Sequence, residues 1–180
     1  MNRELRQIIE ADMKRYFDKV PFFKPIQVRY LLAYRKASYY SKRTIRGLWY
    51  RVKLNRLSEK TGIQIPTKTK IGKGFYIGHF GRIIVNPEAE IGENVNIATG
   101  VTIGKTNRGE KKGVPIIGNN VWIGTNAVIV GKIEIGDDVL IAPNAYVNMD
   151  VPSHSVVLGN PAVIYARDYA TEGYINRIAE

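Results

Sequence analysis

The chain has 180 residues, enough for one compact domain with an appendage. It contains no Cys, which excludes a disulfide, a thiolate nucleophile and a Cys-based metal site. The net charge of +11 lies wholly in residues 1–60, where 16 Lys and Arg face 5 Asp and Glu, while residues 61–180 hold 11 of each.

The N-terminal segment is charged throughout and lacks the apolar core of a signal peptide. No run reaches the roughly 18 apolar residues of a membrane span, so a cytoplasmic location is expected. Residues 2–18 read as an amphipathic helix, with Leu5, Ile8, Ile9, Met13 and Phe17 on one face. Pro21 and Pro25 break it, and a second helix starts at Pro25, a good first-turn residue. A third helix near 43–60 carries Ile45, Leu48, Trp49, Val52 and Leu57 in one stripe, and Gly62 ends it. These helices mix Tyr30, Tyr34, Tyr39, Tyr40, Trp49 and Tyr50 with many Arg and Lys. Such a mixture suits peripheral contact with an anionic membrane, or the aromatics pack onto the rest of the chain or a neighbouring subunit.

Beyond Gly62 aliphatic residues recur every six positions. Ile65, Ile71, Ile77 and Ile83 form one run. After a two-residue slip come Val85, Ile91, Ile97 and Ile103, and after a second interruption Ile117, Ile123, Ile129, Ile135, Ile141 and Val147. Four residues after many of these stands a small or β-branched residue, such as Ala89, Val95, Val121, Ala127 or Val139. Six matches neither the helix period nor strand alternation, but it fits a chain that turns a corner after each short strand. The slip falls in residues 78–86, and the second interruption is the polar segment 105–115, expected to loop outward where function tends to reside. The tail contains Tyr165, Tyr169 and a short expected helix at Tyr174–Ile178, packed across the end or side of the repeat.

The motifs IGKG at Ile71, IGEN at Ile91, IGNN at Ile117, IGTN at Ile123 and IGDD at Ile135 resemble the hexapeptide-repeat acyltransferases over residues 63–165. The resemblance implies a mainly β fold, a left-handed parallel β-helix with three hexapeptides per coil. The expected organisation is then a basic α-helical region over 1–62, the β-helix over 63–165 and a tail over 166–180.

Within that family the chain is similar to serine acetyltransferases, whose catalytic His precedes such a slip; His79 in YIGHFG matches. The resemblance implies that His79 is the general base that takes the proton of an acceptor hydroxyl. The other histidine, His154, reads as a turn residue. Gln64 falls where those enzymes carry the Asp that orients the His, and Glu88 is the other candidate for that task. Gly78 and Val114 fall where they carry an Asp and a second His. Those departures argue for a sugar hydroxyl in place of L-serine, as in the similar O-acetyltransferases of surface polysaccharide synthesis. L-serine O-acetylation is the alternative.

The donor so implied is acetyl-CoA. Its amide arm is expected on main chain at corners Gly104 and Lys105, Gly124 and Thr125, and Ala142 and Pro143, with its phosphates near Lys111, Lys112, Arg108 or Lys132. Each lysine can equally be a solvated surface charge. Asn107 and Arg108 in the loop can instead reach the acceptor, and Glu88 is a further candidate for binding it. A homotrimer is implied, one subunit giving His79 and its neighbour loop 105–115, with Trp122 and other exposed apolar residues buried between them.

No metal is expected: a zinc site built on imidazoles takes three, and the chain has two. Specific nucleic-acid binding is not expected either, since no recognised motif accompanies the charge.

Overall fold

The computed structural model describes residues 2–178; Met1 and residues 179 and 180, the end of the expected tail, lie outside the described residues. Three helices come first: α1 (Arg3–Tyr16), α2 (Ile26–Tyr39) and α3 (Ile45–Thr61). Thr44 caps α3, its side-chain oxygen accepting from the Gly47 N–H at 3.1 Å. Gly62 ends the helix in a left-handed conformation, φ 75°, which a residue with a Cβ resists.

Short strands then wind into the expected left-handed parallel β-helix with three faces. The first face stacks β1 (Ile63–Gln64), β4 (Ile83–Val85), β7 (Thr102–Gly104), β10 (Val128–Val130) and β13 (Tyr146–Val147). The second stacks β2 (Lys70–Ile71), β5 (Glu90–Ile91), β8 (Ile116–Ile117) and β11 (Glu134–Ile135). The third stacks β3 (Tyr76–Ile77), β6 (Asn96–Ile97), β9 (Val121–Ile123), β12 (Val139–Ile141) and β14 (Ser155–Leu158), closed by antiparallel β15 (Val163–Ala166).

Register shows why the period is six. Ile84 pairs with Thr102, 18 residues on, and Trp122 with Leu140, again 18: three hexapeptides per coil. Gln64 pairs with Ile84 at a separation of 20, and Thr102 with Val128 at 26. The slip and the loop are therefore corner insertions that leave the ladder unbroken. The aliphatics of the repeat fill the interior: Ile77, Ile83, Ile97, Ile103, Ile117 and Ile123 are fully buried. Each contributes about 1.5–3 kcal/mol of burial.

The corners have their own rule. Three residues after the inward aliphatic, Gly74, Asn94, Gly100, Asn120, Asn126, Asp138, Asn144 and His154 all take positive φ. Gly, Asn and Asp tolerate this conformation best. His154 is thus a turn residue, as its sequence context suggested.

The helices close the first coil. Asp12 accepts from Arg35 Nε at 2.7 Å, from Arg35 Nη2 at 3.0 Å and from the Phe75 N–H at 2.9 Å. Arg35 also donates to the carbonyls of Ile71 and Gly72, both at 2.6 Å. Arg15 donates to Gly74 O, Asn96 Oδ1 and Asn176 O. The Tyr16 hydroxyl accepts from the Ile77 N–H at 2.6 Å, the Tyr30 hydroxyl accepts from the Ile65 N–H at 3.0 Å, and Tyr34 donates to Thr69 O at 2.6 Å. Burial pushes the Tyr30 and Tyr34 phenols up to about 12. Burial also pushes the Asp12 carboxyl up, against the opposing pull of Arg35.

Three expectations change here. Tyr30, Tyr34 and Arg35 are buried against the coil and unavailable to any membrane. The α3 stripe is buried only at Leu57, joined by Leu54, whereas Ile45, Leu48, Trp49 and Val52 are exposed. Residues 174–178 form a turn and bends, not a helix. Trp122 is half-buried and meets the chain's own tail, edge-on to Tyr174 at 5.0 Å.

The tail is held by Asp138. Its carboxylate accepts from Thr171 Oγ1 at 2.7 Å, from the Thr171 and Ala170 N–H groups at 3.0 Å and faces His154 Nδ1 at 2.9 Å. Burial works against the ionised form, but the hydrogen bonds from Thr171, His154 and Ala170 outweigh it and hold the carboxyl below the usual range. A depressed acid stabilises the fold above its unfolded pKa and loses that contribution as pH falls through the folded value. Tail docking should therefore be intact at neutral pH and fail in acid, read as exposure of Trp122 by fluorescence; Asp138→Ala should expose it already at pH 7. Arg35→Ala strands the buried Asp12 carboxylate and should cost about 3–5 kcal/mol in denaturant unfolding, whereas replacing both residues with apolar ones should recover part of it.

Candidate functional site

The corner between β3 and β4 holds the two inserted residues. Gly78 closes it on one side, its N–H donating to Ile97 O at 3.2 Å and its carbonyl accepting from Gln27 Nε2 at 3.4 Å. Gly81 closes it on the other, donating to Thr61 O at 2.9 Å. Gly81 has φ 142°, and a Cβ there would run into the Thr99 hydroxyl of the next coil. The corner is thus sandwiched between the end of α3 and the coil above. His79 and Phe80, at its apex, are exposed. No described residue hydrogen-bonds the His79 imidazole, so both ring nitrogens are free for a substrate.

The edge that carries His79 is the one between the third and first faces. Gly124 and Thr125, after β9, and Ala142 and Pro143, after β12, stack along the same edge. Their main chain is mostly engaged. Gly124 donates to Ile141 O at 2.8 Å, Ala142 donates to Val157 O at 2.9 Å, and Thr125 O accepts from the Asn144 N–H at 2.9 Å. The Thr125 N–H has no partner among the described residues and is a donor open to an extended ligand. Arg82, which sequence reasoning missed, is exposed beside His79 and pairs with no described residue. The exposed guanidinium three residues from His79 was the signal that could have found it.

The remaining expected residues stand on a different edge, between the first and second faces. Gly104 closes β7, its carbonyl accepting from the Gly131 N–H at 3.4 Å. Loop 105–115 projects there, as expected, but it is a closed hairpin: Thr106 and Gly113 exchange two main-chain bonds of 2.9 Å. Lys111 fixes it, its carbonyl accepting from the Lys132 N–H at 2.9 Å and its Nζ donating to Asn148 O at 2.9 Å. Asn107, Arg108 and Lys112 are exposed on the hairpin, and the Lys132 side chain is exposed below it.

Two assignments fail within one chain. Glu88 does not orient His79; it belongs to this second edge and pairs with Lys105 at 2.8 Å. The Lys105 hydrogen bond and charge hold the Glu88 carboxyl below the usual range. Lys105 and Lys111 are accordingly occupied, so that of the cations expected to meet a phosphate Lys112, Lys132 and Arg108 have no partner among the described residues. Gln64 lies on β1, directly beneath β4, yet shares no hydrogen bond with His79; it lines a groove of about 350 Å³ with Arg51, Asn55 and Thr67.

Comparison with known proteins agrees with the coil. The family model described as bacterial transferase hexapeptide (six repeats) matches residues 115–148. A serine acetyltransferase of Helicobacter pylori is 40% identical over 108 residues, which are 60% of this chain and 63% of that protein. The chain thus spans less than two thirds of that relative's length. The soybean serine acetyltransferase apoenzyme superposes with a TM-score of 0.77 at 30% identity, over 91% of this chain and 70% of that one. The serine acetyltransferase of Brucella abortus gives 0.78 at 26% identity, over 94% and 72%.

Because Lys105 is the partner of Glu88, Glu88→Gln should leave the NMR chemical shifts of the His79 ring at neutral pH unmoved. A change in those ring shifts would return Glu88 to the His79 corner.

Proposed function

Because this chain belongs to the hexapeptide-repeat transferases, we propose that it moves an acetyl group from acetyl-CoA to an alcohol hydroxyl held at the His79 corner. The observation that carries the reading is the exposed imidazole, free at both nitrogens, on the one lengthened corner of the edge that also presents the Thr125 N–H.

The chemistry follows from those groups. An alcohol becomes a competent nucleophile only as its proton leaves, and an imidazole accepts protons near neutrality. His79 takes the hydroxyl proton as the oxygen attacks the thioester carbonyl. A C–O bond forms and the carbonyl oxygen gains charge, which a main-chain N–H such as that of Thr125 stabilises. The C–S bond then breaks, and the imidazolium returns its proton to the departing thiolate. No covalent enzyme intermediate is needed.

The donor's phosphates require cations, and three of them, Arg108, Lys112 and Lys132, unpaired among the described residues, stand on the other edge of the first face, while Arg82 alone stands beside His79. One chain therefore holds the base apart from this larger group of cations. A closed ring of copies brings the His79 edge of each against the loop edge of the next, and a trimer satisfies this with one interface type.

L-serine is the acceptor this reading puts first. The matched relatives carry that activity in their names, and Arg82 offers a cation for a carboxylate beside the base. A sugar hydroxyl is the second reading. It is favoured by one observation: no Asp or Glu occurs among residues 78–82, 98–100, 124–127 or 142–145, so an ammonium group finds no countercharge on this edge.

Thiol release from acetyl-CoA, with L-serine or with a panel of sugars, separates the two readings; turnover with sugars alone would replace serine. His79→Ala should slow transfer by about 10²–10⁴-fold, and an unchanged rate would remove His79 from the mechanism. Mixing His79→Ala chains with Lys112→Ala/Lys132→Ala chains should restore activity that neither has alone, because each mixed ring keeps intact junctions.

A further inference from the structure

The helical cap carries an uncovered apolar face. Phe22 and Phe23 are 90% and 85% exposed and pack edge to face on each other at 4.9 Å. Ile45, 90% exposed, starts a stripe at helical spacing that continues through Trp49 and Val52. Two adjoining grooves of about 480 and 440 Å³ run between these groups and share Arg29 and Lys53 in their walls.

The charge around this face is of one sign. Lys24, Arg29, Lys36, Lys53, Arg56 and Lys60 line the grooves, and no Asp or Glu does. Two of the lysines lie over aromatic rings, Lys36 over Tyr50 and Lys53 over Trp49, each at 5.1 Å. Apolar groups at the centre with ammonium and guanidinium groups around them match the layering of an anionic bilayer, acyl chains beneath phosphate. A second copy of the chain would bring the same surplus of positive charge to the contact. A nucleic acid would pair the cations but leave Ile45, Leu48 and Val52 in water.

We propose that this face of α2, α3 and the 17–25 connection docks the protein on membranes rich in anionic lipid. The aromatics enter the headgroup boundary and the basic residues contact lipid phosphates. The docking is independent of the acceptor, since all of its residues lie outside the His79 edge.

Flotation of the full chain with phosphatidylcholine vesicles, with and without about 30 mol% phosphatidylglycerol, tests this directly. Partition should be at least about tenfold higher on the anionic vesicles and should fall with salt. Phe22→Ser/Phe23→Ser should reduce it roughly tenfold with an unchanged melting temperature, and Arg29→Glu/Lys53→Glu should abolish the preference for anionic lipid. Equal partition on neutral vesicles, or a Phe variant that binds as well as the parent, overturns the proposal. So does a fall in molar mass by light scattering in the Phe variant, which would make the face a contact between copies. Binding of single-stranded DNA that needs the two Phe, with no binding to vesicles, overturns it as well.

Discussion

A coil of parallel strands exposes at its first turn a row of main-chain N–H and C=O groups with no strand beneath them. Left open, that edge invites pairing with another chain or stays unsatisfied under packed helices. Here side chains do the work of a missing coil. Tyr16 serves Ile77, Tyr30 serves Ile65, Tyr34 serves Thr69, Arg35 serves Ile71 and Gly72, and Arg15 serves Gly74. These residues sit on α1 and α2, so satisfying the edge fixes both helices to the coil. Asp12 neutralises Arg35 and uses its remaining capacity on the Phe75 N–H, which makes the buried charge tolerable.

The same cap positions the His79 corner. Gln27 of α2 bonds the Gly78 carbonyl, and Thr61 at the end of α3 accepts from Gly81. His79 is held between these two anchors, with Thr99 of the next coil pressed against Gly81. A corner two residues too long for the repeat would otherwise be a flexible blister. Anchored on both flanks, it holds an exposed imidazole at its apex. The insertion and the helical cap are thus one device, and loosening the Asp12–Arg35 pair reaches the site through α2.

The coil was legible because the hexapeptide rule is local: each aliphatic and each left-handed turn residue answers to its own corner. The ends of α3 were legible for the same reason, since Gly62 acts within one turn. What resisted reading was long-range. Asp12 and Arg35 lie 23 residues apart, and nothing in either helix announces that they face each other. The α3 stripe looked like core because spacing reports a shared face and not what covers it; Leu57 found the coil, and Trp49 found none. The exposed, lengthened corner that carries His79 was legible from the break in frame, but proximity along the chain did not exclude Glu88 as its neighbour. Counting corners excludes it, because eighteen residues close a circuit and Glu88 falls one corner beyond His79.

That count also explains how the surfaces are shared out. Three edges and three faces leave a single chain with His79 on one edge and Arg108, Lys112 and Lys132 on the next, so the proposed reaction draws on juxtaposed copies. In that arrangement surface on both edges is kept for those neighbours. The apolar and basic groups on α2 and α3 draw on neither edge, being confined to residues 22–60 at the end of the prism. In a ring with parallel axes, all caps point the same way. The cationic faces then add up on one side of the assembly, while the junctions that hold the imidazoles stay open along its flanks.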